Sequence, residues 1–199
     1  MLKNILSVLL VLFTYMVGLP QENKIKLIRA DALKFDESIG NEAQRLIGNV
    51  KFSHKGAVMF CDSAYLYSVS NSLDAFGKVR VIQGDTLNLT SEKLYYDGNT
   101  RLIKVRDAVT LRDKKMTLVT NTLDFNRNSG IAVYYDTGII TSKVNDNKLV
   151  SCEGVYNSNT EFFHFRDSVS LMNPDYTVET DTLDYHNQTE IAYFSGPTF

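Results

Sequence analysis

The sequence predicts an all-β fold of stacked repeats, and three observations predict it. Hydrophobicity alternates with a period of two through most of the chain, as at Ile103 and Val105, then Val109 and Leu111, or at Phe163 and Phe165, which is the signature of strands with one buried face. A set of short markers recurs about every 29 residues. No segment after residue 21 keeps an i, i+3, i+4, i+7 apolar stripe over three turns, so no substantial helix is expected. Composition agrees with this class: 11 Tyr and 11 Phe with no Trp and only 3 Pro suit pleated, half-buried surfaces.

The amino terminus stands apart. Lys3 precedes Ile5 to Val17, an uncharged and mostly apolar run of 13 residues that ends at Gly18-Leu19-Pro20. Spanning the hydrocarbon core takes roughly 17 to 25 residues, so residues 1–20 read as a secretory signal peptide, with an uncleaved anchor as the alternative because no Ala-x-Ala site follows. Residues 21–199 then form one domain.

Six copies of an apolar-x-aromatic element carry the repeat: Leu33-Lys34-Phe35, Tyr65-Leu66-Tyr67, Leu94-Tyr95-Tyr96, Leu123-Asp124-Phe125, the degenerate Gly154-Val155-Tyr156, and Leu183-Asp184-Tyr185. A turn marker follows at Asn41, Asn71, Asn99, Asn128, Asn159 and Gln188, and a second marker at Gly48, Gly77, Asp107, Asp136, Asp167 and Gly196. The phase of alternation slips by one residue at one place in several copies. Leu87 and Leu89 are out of step with Leu94 and Tyr96, and Met116 and Leu118 with Leu123 and Phe125. A one-residue slip sends side chains to the opposite face unless the chain bends, so each unit is expected to hold two arms that meet at a corner.

If each unit adds one step of about 4.8 Å, Cys61 and Cys152 sit roughly 14 Å apart, beyond the reach of a disulfide, and two free thiols are expected. The last unit stops at Gly196-Pro197-Thr198-Phe199, half complete, so the expectation is either a piece of a longer protein or a terminal edge paired by strand addition, which can lead to head-to-tail association of copies.

These units resemble the LptA/OstA-like family of lipopolysaccharide-transport proteins. The likeness is strongest at Leu46-Ile47-Gly48-Asn49-Val50-Lys51-Phe52 and at Asp74-Ala75-Phe76-Gly77-Lys78-Val79-Arg80-Val81. Asp85-Thr86-Leu87-Asn88-Leu89 and Ser91-Glu92-Lys93-Leu94-Tyr95-Tyr96 follow in order. The resemblance implies a V-shaped β-jellyroll, or β-taco, in the periplasm. It also implies that acyl chains of lipopolysaccharide are shielded between two sheets, and that the ends dock with partner jellyrolls at the inner and outer membranes. It does not separate a free-standing LptA-type bridge from the anchored LptC-type relative. Asp107, Asp136 and Asp167 depart from the family's usual Gly, and Gly154 stands where an apolar residue is expected.

Taken from the residues alone, the inward-facing candidates are Phe52, Phe60, Tyr67, Val79, Val81, Leu94, Tyr96, Leu111, Leu118, Phe125, Phe163, Phe165, Leu171, Leu183 and Tyr185. They line either a closed core or an open slot, and in a slot each buried CH₂ of a ligand contributes about 0.8 kcal/mol without any specific polar contact. Catalytic and cofactor signals are absent from the sequence. His54, His164 and His186 have no metal-ligand spacing, and no phosphate loop or nucleophile elbow occurs. A net charge of -2 without a basic stretch argues against nucleic acid. The alternative reading is an exported β-solenoid that binds or cleaves polysaccharide through Asp107, Asp136 and Asp167, stacked about 5 Å apart.

Overall fold

The computed structural model describes residues 23–35, 43–84, 87–143, 146–186, 188–189 and 191–199. The signal segment and Asn41 lie outside them. Among the described residues there is no helix, and all fifteen strands belong to one antiparallel sheet.

The alternating segments become eight long strands, the first six consecutive and each paired along most of its length: β3 (Ala43–His54), β4 (Ala57–Tyr67), β5 (Ser72–Gln83), β6 (Leu87–Asp97), β7 (Leu102–Arg112) and β8 (Met116–Asn126). They form a meander in which each pairs with the next. Shorter strands share the two halves of the following positions. On one half β10 (Gly138–Ser142) and β11 (Lys148–Ser151) continue from β8, and on the other β9 (Ile131–Tyr134) and β12 (Glu153–Asn157) do so. The two paths rejoin on β13 (Phe162–Asn173), followed by β14 (Tyr176–His186) and β15 (Ile191–Ser195). At the start, β1 (Lys26–Arg29) and β2 (Ala32–Phe35) pair with the two halves of β3.

The phase slip read from the sequence lies opposite a bulge in the neighbouring strand. In β3, β5, β7 and β13 two successive residues take positive φ: Gly48 and Asn49, Gly77 and Lys78, Asp107 and Ala108, Asp167 and Ser168. Register shifts at the same places re-aim the chain, so inward residues are four apart on these strands (Ala75 and Val79) and three apart on the returning ones (Ser91 and Leu94). The bulges line up as a crease, and each strand crosses from one arm to the other through it.

On the first arm, register joins Phe52, Met59, Val81, Leu89, Leu111, Leu118, Ile140, Leu149 and Leu171 into one inward row. On the second arm it joins Leu46, Ala64, Ala75, Leu94, Val105 and Leu123. Both rows belong to one core cluster, in which Phe52, Leu46, Val79, Val105, Val109 and Val169 are almost fully buried. Stacking like residues at every rung buries a continuous apolar face that no single hairpin could bury alone.

Turns at the end of the second arm are stitched across repeats. The Asn99, Asn128 and Asn159 side-chain amides donate to the carbonyls of Ser70, Thr100 and Ser129 in the preceding turn, at 2.9, 2.9 and 2.8 Å. Each of these asparagines has its own N–H capped by Asp97, Asn126 or Asn157. Asn71 is not their equivalent. It holds the last turn position at φ 54, like Arg101, Gly130 and Glu161, and its side chain hydrogen-bonds Asn23 and Ile25 and donates forward to Asn99 Oδ1 at 3.1 Å.

One expected spacing needs correction. A unit of about 29 residues is a hairpin and adds two ladder steps. Asp107 on β7 and Asp167 on β13 are therefore four strands apart, about 19 Å, and the three aspartates form no 5 Å column. The same count places Cys61 and Cys152 farther apart than 14 Å, and both thiols are free.

Candidate functional site

Between the two arms lies a cavity of about 300 Å³. Its depth is apolar, formed by Phe52, Met59, Val81, Leu89 and Leu111 from the first arm and Leu73, Leu94, Val105, Leu123 and Phe125 from the second. Its polar residues Ser53, His54, Gln83, Asp113, Arg127 and Ser158 all lie at the ends of strands or just past them, far from the crease. Hydrophobic alternation puts apolar groups at every inward rung, and the turns at the arm tips supply the polar rim.

Of the predicted inward residues, Phe52, Val81, Leu94, Tyr96, Leu111 and Phe125 line this cavity. Val79, Leu118, Phe165 and Leu183 are buried core away from it, and Phe163 and Leu171 pack against that core. Tyr185 lies 6.3 Å from Phe163, ring centre to ring centre, in an aromatic stack with Tyr156 and Phe165. Phe60 and Tyr67 face the opposite side of the sheet, contrary to expectation. Met59 and Cys61 are the inward residues of that stretch, while Phe60 lies under the Lys51 ammonium. Tyr67 donates to Asp74, and Leu66 takes the inward position equivalent to Tyr96. Aligning the second unit one residue late moved Tyr67 to the wrong face, because the side-chain period is two.

Two features of the interior escaped the sequence reading. The first is Tyr134, buried at the crease between the two arms, whose hydroxyl hydrogen-bonds Ser151 at 2.5 Å. Its cross-strand partner is Gly154. A Cβ on Gly154 would lie 2.5 Å from Tyr134 Cζ and 2.6 Å from its hydroxyl oxygen, so the tyrosine ring occupies the space of the missing side chain. Gly138 meets the other side of the ring region in the same way. Burial pushes the Tyr134 phenol up to about 12. This ring and the Tyr156, Phe163 and Phe165 stack fill the interior beyond the cavity, which explains why the candidates on β13 and β14 do not reach it. The apparent defect at Gly154 was the signal for this filling.

The second is a contact across the arm tips. His54, at the end of β3, meets the Tyr96 hydroxyl at 2.7 Å through Nδ1, and its Nε2 meets the Asn23 carbonyl at 3.1 Å. A carbonyl only accepts, so Nε2 carries the hydrogen and Nδ1 accepts from Tyr96 in the neutral ring. Burial holds the imidazole below its ordinary value, and the charges of Lys55, Arg101 and Arg127 add to the effect against the opposing Asn23 bond.

The aspartates of the second marker serve the backbone. Asp107 and Asp167 supply the left-handed bulge conformation that Gly77 supplies elsewhere, and Asp is among the residues that tolerate it. All three are exposed, and Asp107 pairs with Lys93 at 2.9 Å. No group of three or more His, Cys, Asp or Glu among the described residues is placed to hold a metal ion.

A family model described as OstA-like protein matches residues 22–181. The chain belongs to the OstA-like family. The solved structure of LptH, the LptA-homologous periplasmic component of the lipopolysaccharide transport device of Pseudomonas aeruginosa, is similar to this OstA-like chain with a TM-score of 0.51. It is 14% identical, with 56% of this chain and 82% of that one covered. The likeness is one of fold, and it assigns the creased two-arm sheet to the V-shaped β-jellyroll. No curated protein matches in sequence.

Proposed function

We propose that this OstA-like chain is a non-enzymatic periplasmic component of lipopolysaccharide transport, holding acyl chains between its arms. The observation that carries the reading is the cavity itself, apolar throughout its depth and bounded by both arms, with polar groups confined to the tips. At about 0.8 kcal/mol per buried CH₂, six to ten methylenes in such a cavity contribute roughly 5–8 kcal/mol. No bond to the ligand needs to be made or broken, so catalytic groups are not required. Family membership and the fold shared with LptH support the same reading.

End strands supply the route for assembly. Every residue of β15 is exposed, and among the described residues the strand pairs with β14 alone, so its other edge can serve as a template for a strand of a neighbouring jellyroll. The partners are other jellyroll transport components at the two membranes, or further copies of the chain.

A benzophenone amino acid at Phe125, incubated with purified lipopolysaccharide and irradiated, tests the shielding. Phe125 lines the cavity, whereas Val119 on the same strand faces outward at 44% exposure and serves as the control. An adduct at Phe125 but not at Val119 is expected. Equal labelling, or none from Phe125, Leu94 and Leu111 alike, would refute the reading.

A further inference from the structure

The arm tips carry charge that the fold itself does not use. Arg127 follows β8 directly and lines the cavity, and its N–H donates to the carbonyl of Arg101 at 3.2 Å, so the two arginines sit side by side at the ends of neighbouring strands. Both are half-buried. Among the described residues neither forms an ion pair, although Arg29, Arg106 and Arg166 each do. Of the carboxylates nearby, Asp97 accepts the N–H groups of Asn99 and Thr100, and Asp113 those of Lys115 and Met116, while the charges of Glu161 and Asp113 act on the cavity-lining Tyr156. Lys55, which follows His54 in the chain, adds a third cation whose charge acts on the imidazole. Half-buried cations beside an apolar cavity are costly to leave without a partner, and guanidinium groups match the geometry of phosphate and carboxylate.

We infer that the tip margin of the cavity is an anion subsite, in which Arg101 and Arg127 hold the phosphate or carboxylate head of an amphiphile whose chains lie in the apolar depth. Burial pushes the Tyr96 phenol up, Arg127 and Arg101 lie near enough for their charges to act against that push, and the hydroxyl donates to His54 Nδ1 at 2.7 Å. The subsite rests on the acyl-shielding reading and narrows it, since it selects anionic amphiphiles over neutral ones.

Calorimetric titration of the full chain with dodecyl phosphate, dodecyl maltoside and inorganic phosphate, each below any micelle concentration, separates the possibilities. Dodecyl phosphate is expected to bind at least about 10-fold more tightly than dodecyl maltoside, as one or two charge-assisted hydrogen bonds imply. The double variant Arg101→Gln/Arg127→Gln should abolish that preference, while Arg127→Lys should fall between. Circular dichroism and the urea midpoint report whether the variant is folded. Equal affinity of the wild type for both amphiphiles, or a preference untouched by the Gln substitutions, would overturn the subsite while leaving acyl binding standing. Inorganic phosphate binding as tightly as dodecyl phosphate would overturn the amphiphile assignment. If neither amphiphile bound, the acyl-shielding reading would fall, and the subsite with it.

Discussion

Replacing Gly154 by Ala tests whether Tyr134 fills the interior as a fitted ring. Gly154 is not among the positive-φ residues, so Ala meets no backbone obstacle, and any cost arises where its Cβ meets the Tyr134 ring and hydroxyl at 2.5–2.6 Å. The ring cannot retreat freely, because Gly138 abuts it and Ser151 holds its hydroxyl. Overpacking of this kind costs about 1–3 kcal/mol. Tyr134→Ala alone should cost roughly 3–5 kcal/mol by emptying a buried aromatic site. In that background the sign for Gly154→Ala reverses: with the ring gone, the substitution should stabilise by about 0.4–1 kcal/mol through the unfolded chain. The coupling energy between the two sites is then on the order of 2–3 kcal/mol. Urea unfolding followed by circular dichroism measures all four species, a suitable probe because the chain has no Trp. Additive effects within about 0.5 kcal/mol would refute the fitted ring.

Other regions give sharp outcomes as well. Because His54 is held below its ordinary value near 6.5, the unfolded chain takes up the proton first. Stability should therefore be full above about 6.5 and fall as the pH drops through the lower folded value; His54→Gln should flatten that part of a stability-against-pH curve. Burial pushes the Cys61 thiol up to about 11, whereas Cys152 is exposed. Iodoacetamide at pH 8 should label Cys152 alone in the native protein and both thiols in denaturant, as read by peptide mass spectrometry. Asp107→Gly relieves a left-handed non-glycine residue and loses only an exposed ion pair with Lys93, so it should leave thermal stability unchanged or raise it by up to about 1 kcal/mol. A loss beyond about 1 kcal/mol would show that the carboxylate does more than serve the bulge.

Much of this architecture was legible because a period of two and a period of about 29 are both one-dimensional signals. The slip between Leu89 and Leu94 is visible in the sequence and lies across from the bulges at Gly77-Lys78 and Asp107-Ala108. Phe52, Val81, Leu94, Tyr96, Leu111 and Phe125 were legible as inward for the same reason. The errors at Phe60 and Tyr67 share one cause, since a parity set one residue out places a side chain on the other face. Asn99, Asn128 and Asn159 announced the turn ladder, but the superficially similar Asn71 belongs two positions later in its turn.

What the sequence by itself determined was the set of arms, the rungs and the family, because backbone pairing and burial repeat with the chain. Only the tertiary structure decided where the interior is open and where it is filled. That depends on which side chains from opposite arms meet across the fold, and residues such as Tyr134 and Gly138 or His54 and Tyr96 are brought together by the crease rather than by any spacing along the chain. Arg101 and Arg127, which form no ion pair among the described residues, are brought together in the same way: the fold joins their backbones and sets Arg127 at the margin of an apolar cavity, where low polarity strengthens the effect of a charge.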